Sequence, residues 1–280
     1  MTALRRLHKR GYSQTLLGVL ILALYLFPVY WMLATSLKSA RDIFATPPIL
    51  VPFPPVLESY IEVVINNPAL HRAVVNSVII SVGAVIFTLL LATPAAYALA
   101  RLRLRLTALV VIILLVSQML PSINLAVPLF VIFSNIGLVN SYTALILANT
   151  IWTLPFAIIV LRPFFLSVPG DLEAAAMVDG CSQPRAFYRV VLPLVTPGLI
   201  TVGALAFVHT WGEFVFALTL TSSESMQPIT VALNKFNGEY GTRWNDLMAV
   251  SSTVALPIVL IFASLQRFIV SGLTVGATKG

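Results

Sequence analysis

Long apolar runs broken by short polar stretches dominate this chain. Six runs can be drawn, at about 13–36, 76–100, 107–133, 142–161, 197–220 and 247–269. Each exceeds the roughly 18 apolar residues that cross a bilayer core as a helix. Residues 47–55 hold Pro47, Pro48, Pro52, Pro54 and Pro55, a density no membrane helix accepts, so the first two runs are joined by an extramembrane loop. Residues 171–193 are different: polar, but with a helical pattern of their own. The pattern predicts an all-α polytopic membrane protein with one transmembrane domain over 1–280, since no insert is long enough to fold alone. No internal repeat is visible.

Composition agrees. Of 280 residues 59% are hydrophobic and 10% charged, against about a quarter charged in soluble domains. The first run is too long for a cleavable signal and no small-residue cleavage site follows it, so it reads as an uncleaved span. The net charge of +7 is explained by its placement. Arg5, Arg6, Lys9, Arg10, Arg101, Arg103, Arg105, Arg162, Arg185, Arg189, Arg267 and Lys279 fall on the side of the termini; only Lys38, Arg41, Arg72, Lys235 and Arg243 fall opposite. The positive-inside rule then puts both termini, the 162–196 loop and the 270–280 tail in the cytoplasm. The single Cys181 excludes an internal disulfide.

Residues 171–193 read as two short helices. Asp171 can cap the first, Glu173 to Met177 are good helix formers, and Gly180 can end it in the left-handed conformation. Ser182 can cap the second, with Pro184 in its first turn. Phe187, Val190, Val191 and Leu194 then share one apolar face. Such an element could simply be a surface loop joining two spans.

Its residues nevertheless resemble the cytoplasmic signature loop, or EAA loop, of binding-protein-dependent ABC importer permeases. Ala175, Ala176, Asp179, Gly180, Val190, Leu192 and Pro193 fall in register. The signature glutamate position is Ala174 here, with Glu173 one place earlier. The stretch 27–44, Asn76-Ser77 through Arg101, Trp211-Gly212-Glu213-Phe214 (Gly212 where the branch has Asn) and the ending GLTVGATKG resemble the carbohydrate, maltose-type branch. The resemblance implies the six-helix type I importer fold with cytoplasmic coupling helices. It implies a second related permease, two copies of an ATPase subunit, an extracytoplasmic solute-binding protein and a sugar as substrate. ATP and magnesium would sit on the ATPases, and no cofactor on this chain.

Under that resemblance, Glu173, Ala175, Ala176, Met177, Asp179, Gly180, Leu192 and Pro193 couple to the ATPase, and Gly272, Leu273, Thr274, Gly276, Lys279 and Gly280 reach toward it from the tail. The segment 222–246, with Phe236, Tyr240 and Trp244, would meet the binding protein. Glu213 is the only acid within the six runs; a charged residue at mid-bilayer costs about 2.5–3.5 kcal/mol, which makes it a functional candidate. It lies about 24 Å along its run, toward the outer side, where helix contact or gating competes with sugar contact. Trp211 can anchor its helix or stack on a sugar. Gln118, Asn124, Asn149 and His209 can bond between helices or line a pathway. Pro94, Pro121, Pro128, Pro155 and Pro257 read as structural.

No phosphate-cradling G-x-x-x-x-G-K-[ST] occurs, so the chain is no ATPase of that kind, and no metal-ligand spacing or clustered catalytic set appears. An ABC permease for amino acids, peptides or glycerol-phosphate compounds is the nearest alternative. An ion-coupled secondary transporter is further away, since such carriers show repeats and intramembrane carboxylates.

Overall fold

The computed structural model describes residues 2–102, 105–238 and 241–275, and they are almost wholly helical. In order come α1 (Thr2–Ser36), α2 (Ala40–Ile43), a π-helical turn (Tyr60–Ile65), α3 (Pro68–Arg101), α4 (Thr107–Ser117), α5 (Ile123–Asn135) and α6 (Tyr142–Ser167). Then follow α7 (Gly170–Val178), α8 (Gln183–Ala186), a second π-helical turn (Phe187–Val191), α9 (Leu192–Leu194), α10 (Thr196–Trp211) and α11 (Val215–Leu220). A 3₁₀ turn (Glu224–Met226), α12 (Ile229–Asn234), the paired strands β1 (Asn237–Gly238) and β2 (Gly241–Thr242) and α13 (Trp244–Val275) complete the chain. Asn237 pairs with Thr242 in antiparallel register.

Among the described residues four helices are long and apolar enough to cross a membrane: Gln14–Ser36, Pro68–Arg101, Tyr142–Ser167 and Trp244–Gln266. The chain at Gln183–Leu194 and the helix Thr196–Trp211 form a further pair bent by 73°. The run expected as one span at 107–133 is two helices, because the chain leaves helical geometry from Gln118 to Ser122, around Pro121. The run expected at 197–220 is likewise divided, at Gly212–Phe214. At the other extreme, α13 continues to Val275, past the expected end at 269. Of the tail positions, Gly272, Leu273 and Thr274 belong to that helix, while Gly276, Lys279 and Gly280 lie outside the described residues, as do Arg103 and Tyr240.

The chain forms two compact units. One comprises Met1–Asn67 with Leu233–Ala255. There Ser36 bonds the Tyr60 hydroxyl at 2.8 Å, Asn245 donates to Ser59 at 3.0 Å, and Tyr30 donates to the Leu50 carbonyl at 2.6 Å. The buried Lys38 sets its ammonium 4.1 Å from the centroid of the Trp31 ring, a cation–π contact that compensates burial.

The second unit, Pro68–Ala232 with Leu256–Gly280, centres on α3 against α6. Small residues let them close up. Ala92 and Ala96 of α3, and Ala144 and Ala148 of α6, are fully buried one helical turn apart. A Cβ at Gly83 would come within 2.6 Å of the Ile146 Cδ1, so glycine leaves room for that side chain against α3. Thr88 and Thr153 bond across the pair at 2.7 Å. The apolar core divides into two clusters. One gathers around Leu99, Leu161, Phe165, Phe187 and Val191, the other around Ile80, Phe133, Leu145, Phe216 and Leu220.

Candidate functional site

The 171–193 element is built from local rules. The helix α7 ends in a Schellman motif: Cys181 N–H bonds the Ala176 carbonyl at 2.9 Å, Gly180 N–H bonds Met177 at 3.1 Å, and Gly180 sits at φ +88°. Nothing lies within 4 Å of a Cβ added there, so glycine is required by backbone conformation alone. The helix begins two residues earlier than Asp171 as a cap suggests. Pro169 occupies the cap position and Asp171 falls in the first turn, where its charge still suits the helix dipole. Ser182 has the extended geometry of a cap and Pro184 follows it, but the serine side chain makes no capping bond.

The apolar face of the second arm is shifted. Phe187 and Val191 are buried as the spacing predicts, but Leu194 is 51% exposed and Val195 takes its place. The π-helical turn over Phe187–Val191 accommodates an extra residue per turn, which moves the face by one position.

What holds this element is a polar clasp at the end of α3. Glu173 is buried. Its carboxylate accepts a hydrogen bond from the Tyr97 hydroxyl and lies 3.4 Å from the Arg101 Nε, an ion pair without hydrogen-bond geometry. Arg101 also donates through Nη2 to the Val168 carbonyl at 2.7 Å, just before α7 begins. The Tyr97 ring packs 4.6 Å from Phe187 and 5.8 Å from Phe165 of α6 between centroids, so one side chain touches the first arm through its hydroxyl and the second through its ring. Glu173 stands with Met177 and Gly180 among the residues that the resemblance assigns to ATPase coupling. It is instead turned into the chain, whereas Ala174, Ala175, Met177, Asp179 and Gly180 are exposed and Ala176 half-buried. Around α7 three apolar side chains reach the surface: Leu172 is 44%, Met177 45% and Val178 87% exposed. Leu192 is half-buried and Pro193 exposed.

The other end of α3 carries a second polar hub. Asn76 is fully buried, donates to the Ser225 and Gln227 carbonyls at 2.9 Å each, and accepts from the Tyr142 hydroxyl at 2.6 Å. Ser77 accepts from Ile229 N–H at 2.9 Å, and Asn140 accepts from Ser222 and Ser223. Residues 222–229 are thereby fastened to α3 and α6.

The candidates within the spans part company. Glu213 caps α11: its carboxylate oxygens accept from Phe216 N–H at 2.8 Å and Ala217 N–H at 3.1 Å, so its partners are the next amides of its own chain. Trp211 is 2% exposed and stacks on Phe207. Asn149 is buried and donates to Leu145 at 2.9 Å within its own helix. Asn124 is exposed at the start of α5. Gln118 and His209 line one cavity, of about 310 Å³, together with Trp152. The sequence reading passed over Tyr97, Arg101 and Trp152 as site residues. A tyrosine and an arginine one turn apart at the end of an apolar run are the signal that could have marked the clasp. Among the described residues no group of three His, Cys, Asp or Glu could hold a metal ion.

Helices of spanning length, with a short helical element hung from the end of one of them, define a polytopic membrane protein. Residues 88–275 match the family described as binding-protein-dependent transport system inner membrane component, and the chain belongs to it. It is therefore a permease component of an ABC transporter, in which ATP hydrolysis lies with partner ATPases. The chain is 38% identical over 255 residues to a sulfoquinovosyl glycerol transport system permease of Agrobacterium fabrum, covering 91% of this chain and 89% of the relative. It is 36% identical to a diacetylchitobiose uptake system permease of Streptomyces coelicolor, over 99% of both chains. A trehalose/maltose transport system permease of Thermococcus litoralis is 34% identical over 95% of this chain and 96% of the relative. The fold is that of a bacterial ABC transporter involved in the import of the acidic polysaccharide alginate, with TM-score 0.78 and 20% identity over 92% of this chain and 95% of that one.

Proposed function

We propose that this chain is one of two permease subunits of an ATP-driven, binding-protein-dependent sugar importer. The observation that carries the reading is α7 itself, a short helix exposed on most sides, Leu172, Met177 and Val178 included, and fastened at its back by Glu173 to Tyr97 and Arg101. An exposed helix with a rigid support is what a coupling element needs: a soluble partner can seat on it, and its displacement is passed to α3 and α6 through Tyr97 and Arg101. The family and the sugars named for the relatives support the rest. In this reading the chain spans the membrane six times, with α4–α5 and α10–α11 as the two broken spans and both termini in the cytoplasm. The α7 face meets an ATPase subunit, residues 222–246 meet the solute-binding protein, and the pathway forms against a second, related permease. Glu173 then serves coupling from behind, as the anchor of the docked helix.

The test is the purified assembly in liposomes with its binding protein, challenged with maltose, trehalose and diacetylchitobiose. Stimulation of ATP hydrolysis by one of them, with uptake of that sugar, is expected. Co-purification of ATPases and second permease with stimulation by an amino acid or peptide only would overturn the carbohydrate assignment. Failure of any ATPase to co-purify would overturn the docking role of α7.

A further inference from the structure

The cavity at the end of α4 has the makings of a ligand site. Its volume of about 310 Å³ is bounded by Gln118, Trp152, Thr153, Phe156 and His209, with apolar residues of α10 completing the wall. That volume sits at the lower end of ligand pockets, about 300–1,000 Å³, and suits one small ring better than an extended chain. The wall is braced from behind. Thr153 is bonded to Thr88 of α3 at 2.7 Å, and Gln118 Nε2 donates to the Trp152 carbonyl at 3.2 Å. The Trp152 and His209 rings lie stacked, 6.0 Å apart at 27°. The hydrogen bonds formed among the described residues engage neither the His209 ring nitrogens, nor the Trp152 indole N–H, nor the Gln118 amide oxygen. Three side chains with spare hydrogen-bonding capacity therefore converge from three elements.

Such groups do not face hydrocarbon without cost; polar side chains at membrane depth turn to a protein interior or a water-filled path. The backbone gives the same answer independently. From Gln118 to Ser122 the chain is not helical, and Met119 in this break is 81% exposed on the isolated subunit. Irregular backbone within a bilayer is tolerated only where protein or a water-filled cavity covers it. The wall holding Gln118 is thus not a lipid face.

We propose that Gln118, Trp152 and His209 form a sugar-ring subsite in the membrane part of the pathway. The inference rests on the sugar-importer reading above. Its chemistry is specific. One face of the indole is stacked on His209 and the other is left for the C–H side of a pyranose, while the imidazole, the indole N–H and the amide oxygen supply donors and an acceptor for ring hydroxyls. No charged side chain lines the cavity, so the expected occupant is a neutral, hydroxyl-rich ring.

The experiment uses the complete importer in liposomes with its binding protein, and as probe whichever of radiolabelled maltose, trehalose or diacetylchitobiose the wild type takes up. In Trp152→Ala, uptake per ATP hydrolysed is expected to fall about tenfold, with the second permease co-purifying as in wild type. In Trp152→Phe, which keeps a flat ring, at least half of the loss is recovered. Equal uptake per ATP in wild type and Trp152→Ala overturns the subsite alone. Loss of the second permease from both variants also overturns it, marking the wall as a subunit seam. A wild type that moves none of the three sugars overturns the sugar reading itself, and the subsite with it.

Discussion

The two ends of α3 are fastened to their surroundings in opposite ways. At one end Asn76 is a neutral amide with three bonds between 2.6 and 2.9 Å and no surface exposure. At the other, Glu173 is held by one hydroxyl and by an arginine that is 3.4 Å away and 18% exposed. Twenty-one residues separate Asn76 from Tyr97, about 32 Å of helix, close to the roughly 30 Å thickness of a hydrocarbon core. An amide hub with every bond made has one geometry, and opening it strands several buried polar groups at once. The Glu173–Arg101 contact lacks hydrogen-bond geometry, so fewer bonds fix this carboxylate than fix Asn76, while the cost of parting two buried charges holds the pair together. The two ends are thus held by different means: the 222–229 segment is a fixed platform on a closed set of neutral bonds, and the 171–193 element is anchored chiefly by charge.

The most severe test removes the fixed end. Asn76→Ala leaves the Ser225 and Gln227 carbonyls and the Tyr142 hydroxyl without their partner, at about 1–3 kcal/mol for each group that stays buried and unpaired. Thermal unfolding in detergent should fall by about 4–10 °C; an unchanged midpoint would show that water replaces the amide and that the platform is not fixed. Next comes Glu173→Gln, which keeps an acceptor for Tyr97 and removes the charge facing Arg101. Here the expected signature is functional: sugar moved per ATP falls about tenfold, within the range of a coupling energy of about 1–3 kcal/mol, while the unfolding midpoint shifts by less than in Asn76→Ala. A larger loss of stability than of coupling would reverse the assignment of the two ends. Gly180→Ala follows. With open space around the Cβ the cost is the left-handed backbone alone, about 1–2 kcal/mol, read as a lower midpoint in an assembly that still forms.

The sequence made α7 and its glycine stop legible because both obey local rules: helix formers, then a residue free to take positive φ. The same local logic failed one turn later. Placing Leu194 on the apolar face assumes an unbroken 3.6-residue period, and nothing in Phe187–Val191 announces a π-helical turn. A paired substitution measures that shift and is the mildest of the tests. Val195→Ala, at a buried position, should cost about 1–2 kcal/mol, and Leu194→Ala less than about 0.5 kcal/mol. Equal costs would restore the unshifted register. Glu173 was out of reach for another reason: its partners are 72 and 76 residues away, and only the pairing of α3 with α6 and α7 brings them together. Trp152 and Trp211 look alike in sequence, each in an apolar run. Which one is open is decided by Phe207 beneath Trp211 and by the break beside Gln118, both matters of packing.

The capping of α11 by Glu213 has an electrostatic consequence. A helix beginning in the middle of a broken span would ordinarily expose free amides and attract negative charge. Here a carboxylate has already taken two of those amides, at 2.8 and 3.1 Å. The helix start is thereby satisfied from within its own chain, and two amides that would otherwise attract an anion are already occupied.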